Sequence, residues 1–189
     1  MIVTILLHMS QNCYKVKIVE SLLKRENHVR GLAKELKINQ MTITRRLDEL
    51  CKENILDFKW EGKNKVYFLK NTLEALQFVI ITEGYKLLEV LKIYPYLRQI
   101  FQQIKKDKRI KLAILFGSHA KKTATKESDI DIYIETGSKS IKREVEAIDS
   151  RINVKIGRFS RESLLVKEIE KDHVIIKGVE RYYEKVNFI

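Results

Sequence analysis

The N-terminal third of the chain alternates helical and extended patterns of apolar residues. Three segments have apolar residues at helical spacing: 14–24, 29–36 and the segment that follows Asn39. The third of these has Ile43, Leu47 and Leu50 on one face, and Asn39 is placed to cap it. Two extended segments, 55–60 and 65–69, are joined by a polar run typical of a hairpin. The pattern predicts three helices followed by two paired strands.

The rest of the chain starts with a long apolar helix. A capping sequence at Asn71–Glu74 opens a helix predicted to run to Ile93, and Pro95 starts another that ends near Lys106. Strands and helices then alternate, in the order strand 110–116, a short helix after Ser118, strand 130–135, helix 139–150, strand 152–159, helix 160–170, strand 174–177 and helix 179–185. The opening segment 1–9 is predicted to be a further strand.

Composition narrows the class of protein. The 189 residues carry a net charge of +12 with a pI near 9.6, which favours a polyanionic partner such as nucleic acid or nucleotide. Cys13, Cys51 and four histidines lack the spacing of a zinc site, and the two cysteines are typical of a reduced cytoplasm. Charged residues interrupt the apolar stretch 73–93, so we expect no membrane span.

One segment carries identifiable chemistry. A predicted strand ends in Gly117-Ser118, and a second strand contains Asp129 and Asp131, which point to the same face because side chains alternate along a strand. Two carboxylates on one face repel unless a cation lies between them, and Mg²⁺ prefers such oxygen ligands. Gly117 permits a tight turn and a close phosphate, and Ser118 offers a hydroxyl and N–H groups to an anion. The segment predicts a metal-nucleotide site.

The order and spacing of these residues resemble the nucleotidyltransferase superfamily of DNA polymerase beta, especially its minimal branch. The matched positions are Gly117, Ser118, Ala120, Ser128, Asp129, Ile130, Asp131 and Ile132. The resemblance covers about residues 95–189. It implies that Asp129 and Asp131 hold Mg²⁺, and that Gly117, Ser118 and Lys121 bind the triphosphate of ATP or another NTP. Lys121 stands where the family usually has Arg, which keeps the charge and loses the bidentate fork.

The family also has a third carboxylate on a neighbouring strand. In the predicted strand 152–159 that position is held by Asn153, whose amide has no charge and takes no proton near neutral pH. Three nearby acids are alternatives for this role: Glu127, Asp149 and Glu135. Of these, only Glu135 shares the face of Asp129 and Asp131.

The N-terminal pattern resembles a winged helix-turn-helix over about residues 13–70. In that family the third helix enters the DNA major groove and the hairpin, or wing, touches the backbone or minor groove. The positions that the resemblance assigns to DNA are Gln40, Met41, Thr42, Thr44, Arg45 and Arg46 on the helix and Lys63 and Lys65 on the wing. Arg and Gln can bond base edges, and Lys at a loop tip can meet phosphate. The alternatives are a solvated structural helix and a module that binds protein.

Together these features predict a cytoplasmic α+β protein. A winged helix-turn-helix domain, 1–70, is joined by a helical linker, 71–94, to a nucleotidyltransferase-like mixed sheet flanked by helices, 95–189. The resemblance implies transfer of a nucleoside monophosphate, most simply AMP from ATP, to a protein or small-molecule hydroxyl. The alternative is a transcription regulator that binds Mg-nucleotide without turning it over. Duplex DNA, a second copy of the chain and, by analogy with toxin-antitoxin pairs, a HEPN-type helical protein are the expected partners.

Overall fold

The computed structural model describes residues 14–188. The predicted strand 1–9 and Cys13 lie outside this range. The chain divides into two compact units between Thr82 and Glu83, within the helix predicted as the linker. We refer to residues 14–82 as the N-terminal unit and to residues 83–188 as the C-terminal unit.

The N-terminal unit contains three helices and a small antiparallel sheet. Its elements are α1 (14–24), β1 (Asn27–His28), α2 (Val29–Leu36), α3 (Gln40–Lys52), β2 (Leu56–Glu61) and β3 (Asn64–Leu69). The strand order is β1-β3-β2, and β2 and β3 form the predicted hairpin. The two-residue strand β1 was not expected from the sequence.

Local capping and apolar periodicity explain these elements. The side chain of Asn39 accepts a hydrogen bond from the backbone N–H of Met41, which confirms it as the cap of α3. The predicted core residues Ile43, Leu47 and Leu50 are completely buried. Three helices followed by a hairpin give the N-terminal unit the architecture of a winged helix-turn-helix, as the pattern predicted.

Helix α4 (Leu73–Ile93) begins in the first unit and ends in the second. The hydroxyl of Thr72 accepts a hydrogen bond from the N–H of Ala75, so a side chain caps the start of the helix as expected. Within residues 14–188 no helix combines the length and apolar character needed to cross a membrane.

The C-terminal unit is a mixed four-stranded sheet with helices around it. Its further elements are α5 (Leu97–Lys106), β4 (Ala113–Leu115), α6 (Gly117–Ala120), β5 (Ile130–Glu135), α7 (Lys139–Glu146), β6 (Ile152–Gly157), α8 (Leu164–Lys171), β7 (Val174–Lys177) and α9 (Val179–Lys185). The strand order is β6-β5-β4-β7. Only the β5–β6 pair is parallel among these described strands. The α+β class predicted from the sequence is confirmed.

The main hydrophobic cluster of this unit packs against one face of the sheet. Ile130, Ile132 and Ile134 of β5 are completely buried, and α5 packs its apolar stripe into the same cluster. The opposite face of β5 therefore carries Asp131, next to Asp129, which precedes the strand. Burial of the isoleucine face fixes which way the carboxylate of Asp131 points.

Four predicted boundaries were wrong. The helix predicted over 139–150 ends at Glu146, and the strand predicted over 152–159 ends at Gly157. Strand 110–116 is reduced to the three residues of β4, with a register irregularity between Ala113 and Ile114. Ser160 does not cap a helix, because its carbonyl closes a turn with the N–H of Ser163 and α8 starts only at Leu164.

Candidate functional site

The sheet places Asp131 and Asn153 side by side. They are register partners in the parallel β5–β6 pair, and Asn153 Nδ2 donates to Asp131 Oδ1 at 3.0 Å. Asp129 is exposed and immediately precedes β5. Asn153 thus lies beside Asp131, at the position where the family resemblance expects a third carboxylate.

The turn after β4 lies against Asp131. Gly117 has φ +71°, a left-handed conformation that favours glycine. A Cβ atom on it would lie 2.4 Å from Asp131 Oδ2, which is closer than two such atoms can approach. The backbone N–H of Phe116 also donates to the carbonyl of Asp131 at 3.0 Å. Gly117 is therefore required for the carboxylate to lie against the turn that leads to Ser118.

The surroundings of Asp131 disfavour the ionised form of its carboxyl group. Burial raises the pKa of its carboxyl, the hydrogen bond from Asn153 acts in the opposite direction, and the negative charge of Asp129 raises the pKa further. A divalent cation between the two carboxylates would offset both unfavourable effects. Residues 14–188 contain no cluster of three or more His, Cys, Asp or Glu arranged to hold a metal ion. Two carboxylates fit an ion that takes its other ligands from water and phosphate, as Mg²⁺ commonly does.

Two of the three alternative acids are engaged elsewhere. Glu135 accepts from both Arg181 and Lys185 at 2.7 Å. Asp149 binds Arg151 at 2.8 Å, and this hydrogen bonding lowers the pKa of its carboxyl to about 2. Glu127 is exposed in the loop before β5, and no ion pair involves it in the described part of the chain. The structure thus offers no third acid fixed beside Asp129 and Asp131.

The two lysines after α6 differ in their surroundings. Lys121 is half-exposed and lies 3.9 Å from the nearest carboxylate oxygen, on Glu168, so its ammonium group is accessible to an anion. Lys122 has a φ of 60° and pairs with Glu89. It occupies the position where the family often has Gly, and its left-handed backbone explains that preference.

Sequence reasoning missed four residues around the site: Tyr94, Tyr96, His119 and Arg151. His119 is completely buried, and its Nε2 lies 2.8 Å from the hydroxyl of Tyr96. Burial lowers the pKa of this imidazole, while the backbone of Asp129 favours its charged form. The guanidinium of Arg151 lies 4.7 Å from the centre of the Tyr96 ring. The sequence signal for them is weak, because the contact between Tyr96 and His119 spans 23 residues.

On the predicted DNA surface, one arginine is not where the sequence placed it. Arg46 is only 5% exposed, and its Nη1 donates to both carboxylate oxygens of Glu49 at 2.7 Å. It follows Ile43 by three residues and precedes Leu50 by four, so it lies on the buried stripe of α3. The prediction that it faces outward was wrong. The hydrogen bonds from Arg46 lower the pKa of Glu49 to about 2.

The remaining predicted residues of α3 are at or near the surface. Gln40, Thr44 and Arg45 are exposed and Thr42 is half-buried. The hydroxyl of Thr44 donates to the carbonyl of Gln40, and Arg45 pairs with Glu49 at 3.3 Å. Gln40, Thr44 and Arg45 also line one concave surface.

The wing presents a cation at its tip and an aromatic face behind it. Lys63 is exposed next to Gly62, whose φ of +60° forms the turn. The ammonium group of Lys65 lies 4.0 Å from the centre of the Phe58 ring, so this cation is partly engaged. Trp60 is 64% exposed beside it.

Comparison with known proteins supports the assignment of the C-terminal unit. A family model described as "Polymerase beta, Nucleotidyltransferase" matches residues 98–181. The C-terminal unit therefore contains a nucleotidyltransferase-type domain, and the predicted resemblance is confirmed. A search of curated protein sequences gave no match.

Two solved structures are similar to part of the chain. Reduced HlyU from Vibrio cholerae N16961 has 21% identity and a TM-score of 0.34, over 38% of this chain and 76% of that one. The transcriptional repressor BigR from Xylella fastidiosa has 19% identity and a TM-score of 0.33, over 45% of this chain and 75% of that one. The winged helix-turn-helix assignment rests on the helices and sheet of the N-terminal unit itself.

Proposed function

We propose that the C-terminal unit binds ATP, or another NTP, with Mg²⁺ and transfers its nucleoside monophosphate to a hydroxyl of a protein or small molecule. The observation that carries this proposal is the meeting of Asp131 with the Gly117 turn, beside Asp129. This arrangement places two carboxylates beside a glycine turn whose backbone can bind a phosphate.

The chain's residues would share the work of positioning the triphosphate. The backbone at Gly117, the hydroxyl of Ser118 and the ammonium group of Lys121 would bind it, and Asp129 and Asp131 would hold Mg²⁺, which neutralises phosphate charge. The acceptor oxygen would form a bond to the α-phosphorus as the bond to the pyrophosphate oxygen breaks. The hydroxyl proton would pass to solvent, because the amide of Asn153 cannot take it.

A second candidate function is favoured by Asn153 itself. Its hydrogen bond to Asp131 replaces a third negative charge at the position where catalysis would need one. In this alternative the unit binds Mg-nucleotide without turnover, and the chain acts as a nucleotide-responsive transcription regulator.

We propose that the N-terminal unit binds duplex DNA through α3 and the wing. Gln40, Thr42, Thr44 and Arg45 would face the major groove, and Lys63 would meet phosphate. Lys65, whose ammonium group lies over the Phe58 ring, would add a second positive charge on the wing, and buried Arg46 would only stabilise the helix. The net charge of +12 supports a polyanionic partner.

We also propose partners and a location for the protein. A homodimer would match a two-fold DNA site, and a HEPN-type protein is a further partner suggested by family analogy. A cytoplasmic location would suit all of these partners. Light scattering of the purified full-length chain tests the dimer directly, because a monomeric mass contradicts it.

One assay distinguishes an active transferase from a regulator that binds nucleotide without turnover. Full-length protein is incubated with ATP labelled at the α-phosphate, Mg²⁺ and a cell extract that supplies acceptors. Label in a product, together with pyrophosphate release that Asp129→Asn abolishes, supports the transferase. Nucleotide binding with neither signal supports the regulator.

A further inference from the structure

Two tyrosines flank Pro95 between α4 and α5, and each reaches a different part of the candidate site. The hydroxyl of Tyr96 lies 2.8 Å from Nε2 of His119, the residue after Ser118. The hydroxyl of Tyr94 accepts from the N–H of Ala124 at 3.1 Å, in the loop that leads to Asp129. Pro95 fixes its own φ and so limits how the two tyrosines can move independently.

The rings form one packed cluster. Ring centres lie 5.0 Å apart for Tyr94 and His119, 6.0 Å for the two tyrosines, and 6.1 Å for Tyr96 and His119. Arg151, stacked on Tyr96, donates to the carbonyl of Lys126 at 3.3 Å. The cluster therefore contacts the loop 121–129 at two points and the preceding turn at a third.

Backbone hydrogen bonds close the turn that contains His119. The N–H groups of Lys121, Lys122 and Thr123 donate to the carbonyls of Gly117, His119 and Ser118. These bonds keep the phosphate-binding turn closed, and His119 lies inside it. Loss of the contact between His119 and Tyr96 would therefore remove one support of the turn.

We propose that Tyr96, acting through His119, is a positioning residue of the nucleotide site. It holds the turn at Gly117 and Ser118 in the arrangement that Mg-ATP requires, while Tyr94 holds the following loop. The inference rests on the proposed function of the site, but the holding of the turn can be measured without nucleotide.

The first experiment measures amide hydrogen exchange in the nucleotide-free, full-length protein. Tyr96→Phe removes only the hydroxyl, and we expect exchange at residues 121–123 to become about fivefold faster, the effect of losing one ordinary hydrogen bond. Tyr133→Phe is the matched control, because it removes a buried hydroxyl whose 2.9 Å bond goes to Gly157. Unchanged exchange in Tyr96→Phe would overturn the proposal.

The second experiment measures the affinity for a non-hydrolysable ATP analogue with Mg²⁺. We expect Tyr96→Phe to weaken binding about fivefold or more and Tyr133→Phe to leave it unchanged. If the turn loosens but affinity is retained, Tyr96 is structural and the positioning role is refuted. If the unchanged protein binds no analogue, the proposed function fails, and exchange alone decides whether Tyr96 holds the turn.

A pair of His119 variants identifies the interaction responsible. Glutamine can place an amide atom where Nε2 lies, whereas asparagine reaches only the position of Nδ1. His119→Gln should therefore retain slow exchange and tight binding, and His119→Asn should lose both. Equal losses in the two variants would show that the ring's packing, and not its contact with Tyr96, supports the turn.

Discussion

Replacing Asn153 by aspartate tests how the site tolerates a third negative charge. The change is nearly isosteric, but it replaces the amide that donates a hydrogen bond to Asp131 with a carboxylate, the third at the site. We expect Asn153→Asp to destabilise the metal-free protein near neutral pH and to make its stability strongly dependent on Mg²⁺.

The size of the effect follows from the distance between the two side chains. Asn153 Nδ2 and Asp131 Oδ1 are 3.0 Å apart. Two unit charges at about that distance repel by about 5 kcal/mol at an effective dielectric constant of about 20. A carboxyl of ordinary pKa can instead keep its proton near neutral pH at a cost of about 4 kcal/mol. The free energy of unfolding should therefore fall by about 2–4 kcal/mol, with proton uptake setting the upper limit.

The pH dependence has a definite sign. The carboxyl pair in the folded variant would have a raised pKa, so its penalty is absent at acid pH and appears as pH rises through that pKa. Thermal unfolding with and without Mg²⁺, over a range of pH, measures this. If the metal-free variant is as stable as the metal-free native protein and gains no stability from Mg²⁺, the two carboxylates do not repel as expected. If only the charge is missing, transfer should also rise by about 10²- to 10⁴-fold.

Three further predictions concern other parts of the chain. Gly117→Ala should abolish Mg-ATP binding in calorimetry, because its methyl group overlaps a carboxylate oxygen, whereas Gly137→Ala, with open space around the new Cβ, should not. Arg45→Ala should weaken duplex DNA binding in gel shifts at low salt and reduce its salt dependence, whereas Arg46→Ala should mainly lower the melting temperature. Glu49→Gln should lower the free energy of unfolding near neutral pH by about 2 kcal/mol and remove the loss of stability that the native protein shows as pH falls from 4.5 to about 2.

The sequence could predict those features that local pattern determines. Alternating isoleucines fixed the face of β5, so the direction of Asp131 followed from periodicity alone. The position of Asn153 beside Asp131 needed the family resemblance as well, because strand pairing is not local. The cap at Asn39 followed from a side chain that satisfies a free backbone N–H group.

Three features were not predicted, because apolar periodicity and residue type do not determine them. Arg46 lies on the apolar stripe of α3, where it pairs with Glu49, and Glu49 also pairs with Lys15 of α1, which the sequence pattern does not bring close to it. His119 and Tyr96 meet across 23 residues with no periodic signal to mark them. Ser160 had the residue type of a helix cap, but a local turn uses its backbone instead.

In the proposed site, Asp129 and Asp131 hold a cation against a nucleotide bound at the Gly117 turn. Calorimetric titration of ATP into the full-length protein, with and without Mg²⁺, tests it most directly. We expect binding that requires Mg²⁺ and is lost in the double variant Asp129→Asn with Asp131→Asn, because no charge then remains to hold the ion. Unchanged ATP affinity in the double variant would contradict it.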